Sequence, residues 1–230
     1  MLQVFPVEGL PEVRPGDKIG ELIAAQASLE DRDVLVVTQK IVSKAEGRIV
    51  AVDPTDASAK RRLAESEAVR VLRRRGDLVI TETRHGFVCA NSGVDLSNVE
   101  EGFAVLLPVD PDRSARGIRD ALRVLAGVEV GVIISDTFGR VWRRGLTDVA
   151  IGCAGIAAVV DLRGERDALG RELVATEVCV ADEIAGAAEL VMGKSSGYPV
   201  GVVRGIDPAA FRESSVRREI VRPPGEDLFR

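Results

Sequence analysis

Strands and helices fail to alternate strictly along this chain, and that irregularity constrains its fold more than any other feature. A doubly wound sheet needs a helix after each strand, whereas irregular runs of strands and helices point to an α+β fold with mixed sheets. Leu2–Pro6 reads as a first strand, stopped by Pro6 and by the Gly9-Leu10-Pro11 turn. Asp17–Ala27 places Ile19, Leu22, Ile23 and Gln26 at helical spacing, with Asp17 as the predicted N-cap. Val34–Val37 is a short buried strand, and Thr38–Gly47 leaves it as a polar loop. Asp56–Arg75 reads as one long charged helix with Leu63, Val69, Val71 and Leu72 as its apolar positions. Leu78–Thr81 and Gly86–Asn91 follow as hairpin strands joined across Glu82–His85. A strand at Phe103–Leu107 and a helix at Ser114–Ala126 lead into the strand Val130–Ile134. From Asp148 to Val160 the residues are small and apolar, broken by Gly152 and Gly155. Val174–Val180 alternates like a strand, Ala181–Met192 is helical up to Gly193, and Val200–Arg204 is the last strand. No Gly/Ser-rich or Pro-rich linker interrupts the chain, so residues 1–230 form one unit whose two subdomains are interwoven rather than tethered.

The 230 residues suffice for a proper core in either arrangement. No apolar run approaches the ~18–20 residues that span a bilayer, and Met-Leu-Gln-Val-Phe-Pro is no signal peptide. The expected address is cytoplasmic, with no membrane partner. A net charge of −5 argues against nucleic-acid binding. The arginines are nonetheless clustered, at Arg73–Arg75, Arg143-Arg144 and Arg217-Arg218, which suits a small anionic ligand. Cys89, Cys153 and Cys179 are widely spaced and read as reduced thiols. His85 is the only histidine, so a His-rich zinc site is excluded. Any divalent metal is held by oxygens, which means Mg²⁺, Mn²⁺ or Ca²⁺.

Chemistry concentrates in Val130–Gly145, where an apolar strand delivers Asp136 and Thr137 to its end, with Arg140, Arg143 and Arg144 close behind. A carboxylate at a strand's mouth is a common way to hold Mg²⁺ beside a nucleotide phosphate, and arginines meet phosphate or carboxylate in bidentate fashion. The plainer reading is an aspartate capping the next turn among solvated arginines. A second cluster, Asn91, Asp95, Ser97 and Asn98, is denser in oxygen donors than one turn requires. Each of Asp95 and Asp136 lies just beyond an apolar strand, and adjacent strands of one sheet would bring both carboxylates to a shared metal. Ser43-Lys44 resembles a phosphate-contacting pair without a Walker A loop, and Lys194 in Met192–Pro199 is a second lysine suited to phosphate.

These runs together resemble the coenzyme F-420-0:L-glutamate ligase family. The resemblance rests on Phe5–Pro11, Val36–Arg48, Asn91–Glu101, Leu107–Pro111, Ser135–Gly145, Val180–Ala185 and Val203–Gly205, essentially the whole chain. It implies an enzyme that uses GTP to phosphorylate the carboxylate of a deazaflavin precursor and then joins L-glutamate as an amide. It also implies Mg²⁺ or Mn²⁺ together with K⁺, and an intertwined homodimer with its site in a groove at the dimer interface. Carried over by position, Gly9, Leu10, Pro11, Glu12, Thr38, Ser43, Lys44 and Asn98 would contact nucleotide. Asp95, Asp136 and Thr137 would hold metal; from the residues themselves, Asp136 and Arg140 are the expected catalytic groups. The chain departs from the archaeal pattern at Gly193-Lys-Ser-Ser-Gly197, where archaeal members carry an acidic, glycine-rich stretch. Actinobacterial relatives fuse the ligase to a flavin domain, and Arg222–Phe229 looks like that junction, so the chain reads as a free-standing ligase or as the N-terminal part of a fused one. The competing readings are an ATP-dependent ligase for another carboxylated metabolite and a nucleotide-binding module without turnover.

Overall fold

The computed structural model describes residues 1–97 and 99–228. In chain order the elements are β1 (Gln3–Pro6), α1 (Ile19–Gln26), β2 (Val34–Thr38), α2 (Gln39–Ala45), β3 (Ile49–Ala51), α3 (Ala59–Ser66), β4 (Ala68–Arg75), β5 (Leu78–Thr83), β6 (Val88–Ala90) and β7 (Phe103–Val105). They continue with α4 (Pro111–Ala126), β8 (Gly131–Arg140), β9 (Arg143–Ala154), β10 (Val160–Asp161), β11 (Glu177–Val178), α5 (Val180–Met192), β12 (Val200–Arg204) and α6 (Val216–Glu219). The class is α+β with mixed sheets, as the pattern predicts.

A five-stranded sheet in the order β1-β12-β2-β8-β9 forms the frame. Its one parallel pair is β2 with β8, and the other neighbours run antiparallel. The parallel pair sits at the centre, where Val34–Val37 and Gly131–Ser135 are all buried. Strands covered on both faces read as unbroken apolar runs, which is why these two were legible. Helices α4 and α5 pack on β9, α1 packs on α4, and α5 reaches β12 and β1.

Between α2 and α4 the chain leaves this frame and builds a lobe from β3 to β7. A small separate core of Ala64, Val79, Val94, Ala104 and Leu106 holds it together. The lobe returns to the frame where β6 meets β8.

Five expectations are corrected. Thr38–Gly47 is not a loop but contains α2, whose Ile41 and Val42 face the core. Asp56–Arg75 is not one helix: α3 stops at Ser66, and Ala68–Arg75 pairs with β5 around a Gly76-Asp77 turn. Its charges imitate a solvated helix, but Val69 and Val71 have the period of a strand. Asp17 does not cap α1; its carboxylate accepts the Arg14 N–H at 2.7 Å, and Lys18 occupies the cap position. Only Glu177–Val178 of the strand expected over 174–180 forms, because α5 begins at Val180.

The fifth correction shapes the site. The strand through Val130–Ile134 does not end before Asp136 but runs to Arg140 and turns back as β9, whose sequence shows only a small apolar stretch. Gly152 makes β9 possible beside α4: a Cβ there would lie 2.3 Å from the carbonyl carbon of Pro111. The start of α4 is fixed by Asp110, which accepts the Arg113 N–H at 3.0 Å, followed by Pro111 in the first helical turn. No helix among the described residues is long and apolar enough to cross a membrane.

Candidate active site

Register places the acidic residues. A bulge between Ile134 and Ser135 shifts the β8–β9 pairing, so that Asp136 lies opposite Val149 and Thr137 opposite Asp148. Directly opposed side chains on a sheet meet, and the Thr137 hydroxyl donates to Asp148 Oδ1 at 2.6 Å. Ser135 Oγ donates to the other oxygen of Asp148 at 3.1 Å. Asp148 is only 3% exposed, and its charge is met by the Lys194 ammonium at 3.0 Å. Lys194 also donates to Thr137 Oγ1 and lies 3.5 Å from Glu189 of α5.

Among the described residues no ammonium pairs with Asp136, which stands beside this group; one of its oxygens accepts the Thr137 N–H at 2.8 Å. Burial raises its carboxyl from the ordinary 3.8 to about 7, and the charges of Asp148 and Asp95 add to the rise. Lys194 and the Thr137 N–H act the other way.

Asp95 reaches the same neighbourhood from the lobe. Its backbone forms a bridge with Val105, through N–O distances of 3.0 and 2.8 Å. The carboxylate accepts the Ser97 N–H at 2.7 Å and the Lys40 ammonium at 2.9 Å. Burial pushes this carboxyl up, but the Ser97 and Lys40 bonds hold it below the usual value. The charge of Asp95 acts on Asp136, but the two do not lie on adjacent strands of one sheet as expected. Asp136 belongs to the main sheet and Asp95 to the lobe, and the lobe's return onto β8 joins them.

Helix α2 connects the acidic group to the proposed nucleotide residues. Lys40 and Lys44 are four residues apart and share a face. Lys40 reaches Asp95 and Ser97, while Lys44 pairs with Glu12 from the loop after β1. Ser43 is fully buried and donates to Gln39 at 2.9 Å. Thr38 ends β2 and begins α2, its N–H bonded to the Pro199 carbonyl at 2.9 Å. The loop of Gly9, Leu10, Pro11 and Glu12 starts at a left-handed Gly9, φ +74, with space for a Cβ limited by Gln26 at 3.1 Å. Asn98 lies outside the described residues.

Arg140 is not gathered into the cluster. Its guanidinium donates to the Arg144 carbonyl at 2.6 Å, closing the exposed turn of the β8–β9 ribbon. Three site residues went unrecognised in the sequence: Lys40, Asp148 and Glu189. The available signal for Asp148 is an aspartate at the head of the apolar run Val149–Ala154.

The donors fit a hard divalent cation. All are oxygens, and Asp136 has a raised carboxyl with like charges beside it, the situation a bound cation relieves. Among the described residues no three Asp, Glu, His or Cys side chains converge tightly enough to hold an ion alone. That suits Mg²⁺, which is commonly bound by one or two carboxylates plus waters and substrate phosphates.

The chain is similar to known proteins over its whole length. It is 46% identical to the coenzyme F420:L-glutamate ligase of Methanopyrus kandleri, covering all of this chain and 98% of that one. It is 44% identical to the enzyme of the same name from Archaeoglobus fulgidus, covering 96% of that protein. The Methanothermobacter thermautotrophicus protein of that name is 42% identical, with 99% of it covered. The sequence profile of the F420-0:Gamma-glutamyl ligase family matches residues 9–205, and the chain is therefore a member of that family.

Proposed function

We propose that this protein is a GTP-dependent ligase that adds L-glutamate to the deazaflavin precursor coenzyme F-420-0 through an acyl phosphate. The observation that carries the reading is Asp136, a desolvated carboxyl raised further by the charges of Asp95 and Asp148, in a chain 46% identical to a named F420:L-glutamate ligase.

A carboxylate is a poor electrophile. Attack by one of its oxygens on the γ-phosphorus of GTP forms a C–O–P bond, breaks the bond to the β-phosphate oxygen and releases GDP. The α-amine of glutamate then attacks the acyl carbon, phosphate leaves with the electron pair of the broken C–O bond, and the amine loses a proton. Phosphoryl transfer of this kind depends mainly on positioning and on neutralising charge. Gly9–Glu12, Thr38, Ser43, Lys44 and Asn98 would take the nucleotide, with Lys44 exchanging Glu12 for phosphate. Asp95 and Asp136 would hold Mg²⁺ or Mn²⁺, which neutralises phosphate charge when bound. Arg140 would meet an anionic substrate group by leaving the ribbon turn it closes. K⁺ and a homodimer belong to the same reading. Val141, Trp142 and Leu146 give the exposed ribbon an apolar tip suited to burial against a second copy.

Precursor labelled with ¹⁸O in its carboxylate tests the route. With GTP and L-glutamate, one labelled oxygen is expected in the released phosphate; phosphate free of label would exclude the acyl phosphate.

A further inference from the structure

Three aspartates stand in this site, and they are compensated unequally. Asp95 has Lys40, Asp148 has Lys194, and Asp136 has neither. The side chain of Asp148 is 2% exposed and lies sealed under Lys194, whereas that of Asp95 is 34% exposed and open to an ion from solvent.

The surroundings of Lys194 resemble a filled cation seat. An ammonium has three N–H donors, and three oxygens face this one: Asp148 Oδ1 at 3.0 Å, Glu189 Oε1 at 3.5 Å and Thr137 Oγ1. The Thr137 hydroxyl gives its hydrogen to Asp148 and receives the ammonium on its lone pair. Two carboxylates and a hydroxyl are a donor set suited to Mg²⁺ or Mn²⁺. Here a side chain already occupies it. Gly193, at φ +58, ends α5 and turns the chain so that the next residue can reach back to this seat.

We propose that Lys194 is the resident cation of the Asp148–Thr137–Glu189 seat, excluding metal from it and confining the divalent ion to the Asp95–Asp136 half. Lys194 is a positioning and specificity-determining residue in this account, which rests on the metal site of the proposed function. Thr137 consequently serves the lysine seat rather than the divalent ion. Asp148, held by Lys194, stays beside Asp136 and acts against the ionised form of that carboxyl, an effect a divalent cation there would offset.

Counting Mn²⁺ bound per chain by electron paramagnetic resonance, with the full chain and metal alone, tests this. Wild type is expected to bind one ion, and Lys194→Gln two. Lys194→Arg keeps the positive charge and should return the count to one. Lys194→Gln combined with Asp148→Asn should also bind one, because the vacated seat has lost its buried carboxylate. Lys194 is on the surface side of the seat, and circular dichroism on each variant verifies the fold. A wild-type count of one with Lys194→Gln also at one overturns this inference alone. A wild type that binds two ions overturns it as well, while a wild type that binds none overturns the proposed metal site and this inference together.

Discussion

Asp136→Asn should make the metal-free protein more stable at high pH and leave it little changed at low pH. An ordinary aspartate titrates at 3.8, and burial with two neighbouring carboxylates moves this one to about 7. Between those values the folded state binds the proton more tightly than the unfolded state. Stability contributed by protonated Asp136 is therefore present at low pH and lost as pH rises through that window. Each pH unit of displacement is worth about 1.4 kcal/mol, so the penalty grows to as much as about 4 kcal/mol above neutrality. Asparagine keeps the shape and removes the charge, which removes the pH-dependent part of the cost. Urea unfolding of both proteins in chelator checks this, at about pH 4 and about pH 8. The advantage of the variant should grow by several kcal/mol between the two, and Mn²⁺ at the higher pH should close the gap by stabilising wild type alone. An identical difference at both pH values would refute the reasoning.

Lys44→Ala should weaken GTP binding by about 1–3 kcal/mol, the cost of a lost charge-assisted hydrogen bond. Unchanged affinity by calorimetric titration would remove Lys44 from the site. Arg204→Met should destabilise the fold by about 3–5 kcal/mol, because Asp33 is fully buried and bonded to that guanidinium at 2.7 and 2.8 Å. A loss below about 1 kcal/mol in urea would contradict it. Light scattering under assay conditions should report a dimer, and an active monomer would contradict the proposed assembly.

The centre of the frame is legible because its strands are buried on both faces. Val34–Val37 and Val200–Val203 carry no polar side chain, and both lie in the interior of the main sheet. The failures came where function or charge overrides local pattern. Helix α2 reads as a loop because Lys40, Ser43 and Lys44 are polar for the sake of the groups they reach. Strand β4 reads as helix because its arginines hide a two-residue period. Strand β9 reads as a broken stretch because Gly152 is dictated by the approach of α4, a contact between residues 41 positions apart in sequence.

The site shows the same division. Asp95, Asp136 and Thr137 come together, as do Glu12 and Lys44, although the sequence reading misplaced the strands involved. Asp148 carries only the weak signal of heading an apolar run, because its partners, Thr137 and Lys194, meet it through strand register and through the turn at Gly193. Pairing across a hairpin depends on a bulge that no local pattern announces.

The central claim is the reaction itself, and a mass spectrum of the deazaflavin precursor after incubation with the protein, GTP, Mn²⁺ and L-glutamate tests it most directly. The account predicts a mass increase of one or more glutamyl residues that requires both GTP and glutamate. A precursor of unchanged mass, under conditions where the protein is folded and binds GTP, would contradict it.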